Sequence, residues 1–373
     1  MQAESKNKYL LVFVKARPNL FKIRRFFVSY QKLQYLYTDL SRLPKSVMQV
    51  SIIIPVYNRA SVVPATLNSV LSQTYRPLQV VLVDNYSTDN TLQVLEDFKR
   101  DNENDDFKVV VTQEAHRTAG AARNKGFEQA TGEWVLFFDS DDLMKEDLVS
   151  SYVRIIDKAV EEGRVLDLIS TRSTLVFPDG SERETPFSKR DLFAQHILHA
   201  QLATQRYAVR REFFASTDGW NINLPGWNDW ELGLRLLLAR PHVAYMGGKS
   251  RVLVNHNGAD SITGTEFHSR HGQWEHVIDI MINEVRCSLL KPEYKLRYER
   301  LLEYRRMVLA AQYEREGHKE LSVPLCREAH KALRESYRNN RRWRWLVDPV
   351  TRRLFARIVL GKRGSAQIAR LLY

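Results

Sequence analysis

Trp134-Val135-Leu136-Phe137-Phe138-Asp139-Ser140-Asp141-Asp142 is the stretch on which the fold turns. Five apolar residues in a row, two of them phenylalanine, suit a strand buried on both faces rather than one with a solvent side. The run ends abruptly in three carboxylates, so the strand empties into a polar crevice. Three similar runs lie upstream: Val50-Ser51-Ile52-Ile53-Ile54, Gln79-Val80-Val81-Leu82-Val83 and Val109-Val110-Val111. Helical patterning separates them over about 61–73, 89–100 and 118–130. Asp89 followed by Thr91, Leu92, Val94 and Leu95 marks a helix start, and Thr131-Gly132 marks a helix stop. Strand and helix in alternation predict βαβ units and a mostly parallel sheet flanked by helices.

Parallel strands share one carboxyl edge, and ligands bind there. Ile54 runs into Pro55-Val56-Tyr57-Asn58, Val83 into Asp84-Asn85, and Phe138 into Asp139-Ser140-Asp141. The strand assignments alone therefore gather Tyr57, Asp84, Asp139 and Asp141 around one crevice. Two carboxylates one residue apart can hold a hard divalent cation, Mg²⁺ or Mn²⁺, that bridges to substrate phosphates. The alternative is a solvated acidic loop, with Asp142 or Asp147 capping the next helix. An EF-hand is disfavoured, because its glycine and its closing glutamate are absent.

Outside this core the chain of 373 residues is 44% hydrophobic and 27% charged, an ordinary folded composition. Cys287 and Cys326 are too few for a disulfide framework or a four-cysteine metal site. No apolar run approaches the ~20 residues of a spanning helix, and Met1 to Lys8 lacks a signal-peptide core, so a cytoplasmic protein is expected. The formal charge of +12 is unevenly spread: +8 over residues 1–49, −9 over 50–285 and +13 over 286–373. An acidic middle with basic ends suggests that the middle carries chemistry while the ends meet an anionic surface, membrane or nucleic acid, or are simply solvated. Leu20, Ile23, Phe26, Phe27, Tyr30, Leu33, Tyr37 and Leu40 predict one helix before Pro44. Beyond 186 the pattern loosens. A helix is expected near 228–239, short strands at 243–246 and 249–255, then helices beyond 274 interrupted at Pro292, Pro324 and Pro349. Pro349 would open a last basic helix with Leu354, Phe355, Ile358 and Val359 on one face.

Four stretches taken in order carry a family likeness. Ser51-Ile52-Ile53-Ile54-Pro55-Val56-Tyr57-Asn58, Val83-Asp84-Asn85-Tyr86-Ser87-Thr88-Asp89, Ala121-Ala122-Arg123-Asn124-Lys125-Gly126 and Gly132 through Asp142 resemble the nucleotide-sugar-binding half of inverting family-2 glycosyltransferases. The resemblance implies a GT-A-type fold with helical N- and C-terminal extensions. It implies a basic helical extension over 1–48, a glycosyltransferase domain over 49–270 with donor half 49–150 and acceptor half 151–270, and a basic helical region over 271–373.

It also implies roles. Pro55, Tyr57 and their backbone would line the base pocket, Asp84 would meet the base or ribose, and Arg123 the nucleotide. Asp139 would face ribose and metal, and Asp141 would ligate the metal, with Mn²⁺ or Mg²⁺ as cofactor. Tyr86 stands where the family has a glycine. Asn228-Asp229-Trp230-Glu231-Leu232 resembles the segment that supplies the catalytic base, which places Asp229 in that role and Glu231 as runner-up. Gly219-Trp220-Asn221 resembles a second acceptor-side element. His256, within Asn255-His256-Asn257-Gly258, would reach the metal or the diphosphate. His116 is a further donor-side candidate, with surface exposure as the alternative. Trp227 and Trp230 suit either sugar stacking or core packing.

The expected activity is transfer of a sugar, UDP-linked in the first instance, to an acceptor hydroxyl with inversion, in the setting of surface-polysaccharide assembly. The acceptor is a saccharide or lipid-linked saccharide. An anionic membrane surface, at the inner face, is a candidate partner, and no nucleic acid is expected. Two rivals remain. A sugar-phosphate nucleotidyltransferase would need a glycine-rich loop after the first strand, where this chain has Pro55-Val56-Tyr57-Asn58-Arg59. A non-catalytic anionic-surface or nucleic-acid-binding protein would leave the acidic middle without a purpose.

Overall fold

The computed structural model describes residues 48–224, 226–255, 266–340 and 343–362. The helix expected before Pro44 and the candidate His256 lie outside the described residues. Strands β1 (Val50–Val56), β2 (Leu78–Asp84), β3 (Phe107–Gln113) and β4 (Trp134–Phe137) alternate with helices α1 (Val63–Leu71), α2 (Thr91–Asn102) and α3 (Ala119–Gln129). There follow β5 (Leu143–Met144), α4 (Leu148–Glu161), β6 (Leu168–Ser170), β7 (Thr174–Val176), β8 (Glu182–Glu184) and α5 (Leu192–His199). A 3-10 turn, Thr204–Arg206, leads into β9 (Tyr207–Arg210), α6 (Arg211–Ala215), α7 (Asn228–Leu238), β10 (Val243–Tyr245) and β11 (Val252–Asn255). A 3-10 turn at Phe267–Arg270 precedes α8 (Gln273–Cys287), α9 (Pro292–Arg315), α10 (Lys319–Ser336) and α11 (Trp343–Val359).

Seven strands form one sheet in the order β10-β6-β9-β4-β1-β2-β3, and β5-β11-β7-β8 form a second. β4, β1, β2 and β3 run parallel, as the buried apolar runs predict, while β9 is antiparallel to both β4 and β6. β2 is buried at every position, whereas β3, at the sheet edge, alternates buried and exposed at its start. Pro55 is tolerated in central β1 because pairing with β4 ends at Ile53 opposite Phe137, so its missing N–H faces the side on which β4 has stopped. Gly132 has a different reason: a Cβ there would lie 2.6 Å from the Ser51 nitrogen and 2.8 Å from the Gln49 oxygen. Only a bare backbone lets the turn before β4 run this close to β1.

β5 to β9 carry too few residues each to show a period, and the sequence reading missed them, whereas β10 and β11 fall within the strands expected at 243–246 and 249–255. The C-terminal helices also correct an expectation. Pro292 opens α9 at its first turn, but Pro324 and Pro349 lie inside α10 and α11. Each removes one backbone hydrogen bond. Packing carries the helix through: Leu325, Ala329 and Leu333 of α10 and Val347 and Leu354 of α11 are buried in one apolar cluster. That cluster also contains Ile197 of α5, Trp230 and Leu234 of α7, Val277 and Met281 of α8, and Leu301 of α9, so the helical region shares its core with the helix that carries Asp229. Both cysteines are free. Among the described residues no helix is long and apolar enough to cross a membrane.

Candidate active site

Strand register sets the crevice. Val56 pairs with Asp84 and Ile53 with Phe137, so Tyr57, Asp84 and Asp139 leave neighbouring strands at the same edge. Beside β1 and β2, the loops that follow these strands are tied together. The Asn58 backbone N–H donates to Ser87 Oγ at 3.0 Å, and Asn58 Oδ1 accepts from the Thr88 N–H at 2.8 Å. Tyr57 and Tyr86 stand 44% and 48% exposed at this rim. Tyr86, in place of the family's glycine, holds φ at 57°, a left-handed conformation that costs a non-glycine residue about 1 kcal/mol or more. Asp84 is fully buried beneath it and accepts from the Ser87 N–H at 3.2 Å and from Gln113 Nε2 at 2.9 Å. Asn85 donates to the Glu114 and His116 carbonyls at 2.6 and 3.0 Å; the His116 side chain is exposed, its Nδ1 3.2 Å from Thr118 Oγ1.

Asp139 is held from two sides. Arg123 Nη2 donates to its Oδ1 at 2.5 Å, and Gln205 Nε2 to its Oδ2 at 2.7 Å. The same Gln205 amide also donates to Asp142. Asp142 is therefore a buried strut rather than a solvated cap: its other oxygen accepts from the Asn255 N–H of β11 at 2.9 Å. Thr66 Oγ1 of α1 faces the Ser140 and Asp142 carbonyls, each at 2.9 Å, which fixes the turn from below. Asp147 does not cap α4 with its side chain; it pairs with Arg251 Nε at 2.7 Å.

Asp141 differs from both neighbours. Among the described residues no other side chain donates to its carboxylate. Burial, then the charge of Asp139, raises its pKa, with Arg59 opposing. Burial likewise pushes Asp142 well above the usual carboxylate range, helped by Asp139 and Asp141. Crowded, partly desolvated carboxylates are the electrostatic setting that a divalent cation relieves. Arg123 itself is buried, its guanidinium 4.4 Å from the Trp220 ring centroid, yet among the described residues its Nε and Nη1 have no hydrogen-bond partner. Buried guanidinium nitrogens without a described partner, beside Asp139, fit an anionic ligand. Among the described residues no three side chains gather in metal-ligand geometry; Asp139 and Asp141 are the described carboxylates that could hold a cation here.

Towards α7, Asn124 of α3 exchanges two hydrogen bonds with the Trp220 backbone, at 2.8 and 2.9 Å. Gly219 holds φ at 65°, and a Cβ there would meet Asn124 Oδ1 at 2.8 Å. The Gly219-Trp220-Asn221 element thus docks the loop before α7 onto α3. Asp229 lies in the first turn of α7, half-buried, with Oδ1 accepting from the Trp230 N–H at 2.9 Å. Burial raises its pKa. Arg123 opposes the shift and Asp139 adds to it, so the base candidate and the nucleotide-side pair share one electrostatic environment.

Glu231 is not brought to the crevice. It is buried and chelated by Arg235, whose Nη2 reaches Glu231 Oε2 at 3.0 Å and the Gly219 carbonyl at 2.7 Å. Glu284 of α8 closes this cluster, its pKa raised to about 9 by burial and by the Glu231 charge. Trp230 is buried and donates to the His196 carbonyl at 3.1 Å. Trp227 packs 4.6 Å from Trp274 and 5.4 Å from Trp230, so both tryptophans belong to the helical core. Gln205 was not visible from sequence, because nothing local marks a glutamine in a 3-10 turn as the link between two carboxylates.

A family model described as "Glycosyl transferase family 2" matches residues 51–199. A "PGL/p-HBAD biosynthesis glycosyltransferase" of Mycobacterium bovis is 31% identical over 194 residues, which is 50% of this chain and 68% of that protein. An uncharacterized glycosyltransferase of Nostoc is 32% identical over 193 residues, 50% of this chain and 58% of its own length. Among solved structures, S. aureus TarS 1–349 in complex with UDP-GlcNAc superposes with a TM-score of 0.63 at 20% identity, covering 87% of this chain and 90% of that one. A mannosyltransferase of Pyrobaculum calidifontis in complex with GDP-Man and Mn²⁺ superposes with a TM-score of 0.50 at 17% identity, covering 91% and 93%. At these identities the structural matches speak for the fold.

Proposed function

The chain belongs to glycosyltransferase family 2 and has a GT-A-type fold, and from that premise we propose that it transfers a sugar from a UDP-linked donor to an acceptor hydroxyl with inversion. One observation carries the reading: Asp139, paired with Arg123 at the crevice, lies within electrostatic reach of both Asp141, to whose carboxylate no described side chain donates, and Asp229. A solved structure of the same fold binds UDP-GlcNAc and another binds GDP-Man with Mn²⁺, which supports a nucleotide-sugar donor and a divalent cation here.

In this reading Tyr57 and the backbone at Pro55 line the base pocket. Asp84, buried under the Tyr86 loop, holds that loop's shape through the Ser87 N–H and in this way sets the floor for base or ribose. Arg123 turns its unpartnered nitrogens to the diphosphate. Asp139 and Asp141 would hold Mg²⁺ or Mn²⁺, which supplies Lewis-acid stabilisation of the departing diphosphate. His256 belongs to the same group by resemblance. Asp229 takes the proton of the acceptor hydroxyl as its oxygen forms a bond to the anomeric carbon. The bond from that carbon to the diphosphate oxygen breaks in the same step, on the opposite face, so the centre inverts and no sugar–enzyme bond forms. A raised pKa suits the base, because it binds the incoming proton more firmly; positioned proton transfer contributes roughly 10²–10⁴-fold.

The acceptor is a saccharide or lipid-linked saccharide, in the cytoplasm or on the inner face of a membrane, and surface-polysaccharide assembly is the corresponding setting. The test is nucleoside-diphosphate release from a panel of nucleotide sugars with and without Mn²⁺. Cation-dependent UDP release supports the reading; pyrophosphate chemistry instead would make the protein a nucleotidyltransferase, and neither product would leave a binding protein.

A further inference from the structure

Helix α11 is anchored by one face and bare on the other. Val347, Thr351 and Leu354 are fully buried, and Phe355 and Ile358 pack on the same core. At 100° per residue, Trp345, Leu346, Pro349, Arg352, Arg353 and Leu360 fall within one sector of roughly 120° on the opposite side. All six are exposed; Trp345 is 77%, Leu346 42% and Leu360, just past the helix end, 67% accessible. No acid lies in that sector. The one acid of the helix, Asp348, is turned to His330, with Oδ1 3.0 Å from Nε2. Among the described residues no carboxylate pairs with Arg352 or Arg353. The surrounding segment, 286–373, carries +13.

We propose that this face of α11 docks on an anionic lipid surface. An indole and two leucines interleaved with arginines match the headgroup–acyl boundary, where the rings and leucines leave water and the guanidinium groups meet lipid phosphates. Two other occupants fit less well. A second copy of the chain, joined face to face, would set Arg352 and Arg353 against like charge. Nucleic acid would neutralise the arginines but give Leu346, Pro349 and Leu360 nothing apolar to enter. Because the buried face ties α11 to the core shared with α7, docking holds the whole enzyme at the surface. The inference does not depend on the chemistry of the crevice.

The test uses the full chain with phosphatidylglycerol-containing vesicles and with neutral phosphatidylcholine vesicles. The wild type sediments with the first and not the second. Trp345→Ser/Leu346→Ser and Arg352→Glu/Arg353→Glu each lower the bound fraction by roughly tenfold or more. Lys158→Glu near the end of α4 with Arg164→Glu just beyond it, a pair with the same change in net charge, leaves binding within about threefold. All the altered side chains are exposed, and unchanged unfolding midpoints verify that the variants fold. The proposal is overturned if the α11 variants bind like wild type, if the Lys158 and Arg164 pair loses as much, or if the wild type ignores anionic vesicles. Binding of a single-stranded oligonucleotide that depends on Trp345 and Arg352, without vesicle binding, overturns it in favour of nucleic acid. Donor turnover, read separately, tells failure here from failure of the glycosyltransferase reading.

Discussion

Acidification should loosen the joint between α5 and α7 through one residue, His196. Its side chain is fully buried, with Nε2 2.7 Å from the Trp230 carbonyl and Nδ1 3.1 Å from the Leu202 nitrogen. A carbonyl only accepts and an N–H only donates, so the ring is neutral with its proton on Nε2. Burial, with Arg206 adding to it and the Trp230 bond opposing, lowers the pKa from 6.5 to about 4. A lowered folded value means that the unfolded chain takes the proton first. The contribution is therefore intact above pH 6.5 and is lost as pH falls towards 4. Over that interval the loss is about 3 kcal/mol, at roughly 1.4 kcal/mol per pH unit. The assay is urea unfolding of wild type and His196→Gln between neutral pH and pH 4. The difference between the two curves cancels other titrating groups, Glu284 included, whose raised pKa slopes the opposite way. At neutral pH the wild type is the more stable; the gap should close by about 3 kcal/mol between pH 6.5 and 4. A gap independent of pH refutes the assignment of a neutral, doubly bonded ring.

Three further outcomes follow from the packing and the site. Gly233→Ala places a Cβ 2.3 Å from His196 Cε1, so it should cost about 1–3 kcal/mol and lower the thermal midpoint by several degrees. Gln205→Leu removes the donor shared by Asp139 and Asp142 and should destabilise by about 1–3 kcal/mol, read by denaturant unfolding. Asp141→Ala should leave the fold intact, since no other described side chain donates to it, and abolish the Mn²⁺ dependence of UDP binding in calorimetric titration; persistence of that dependence would remove Asp141 from the metal site.

The sheet was legible because β1, β2 and β4 are buried on both faces, so their composition alone separates them from helices. The crevice was legible for the same reason: once those strands are parallel, Tyr57, Asp84 and Asp139 must emerge together. Asp229 and Glu231 show where that logic ends. Two residues apart near the start of one helix, they face different surroundings, and only the position of Arg235 and Glu284 sends Glu231 inward. Such a choice is made by contacts between α7 and α8, nearly fifty residues distant in sequence. Pro324 and Pro349 illustrate the converse, where local preference for a break yields to burial of Leu325 and Leu354. Tyr86 was conspicuous in the sequence as a departure from glycine, but its left-handed φ of 57° is a fact of the structure alone.

The account rests most heavily on Asp229 as the base. Asp229→Asn keeps the side chain's size and an oxygen for the Trp230 N–H, so folding and donor affinity should stay within about threefold of wild type. Steady-state turnover with a matched donor, acceptor and Mn²⁺ should fall by roughly 10² or more, because proton abstraction is lost. Glu231→Gln, measured alongside, should weaken the Arg235 clamp and lower the unfolding midpoint while the folded enzyme keeps turning over. Near wild-type turnover by Asp229→Asn, with Glu231→Gln folded but inactive, contradicts the account and assigns the base to the other carboxylate.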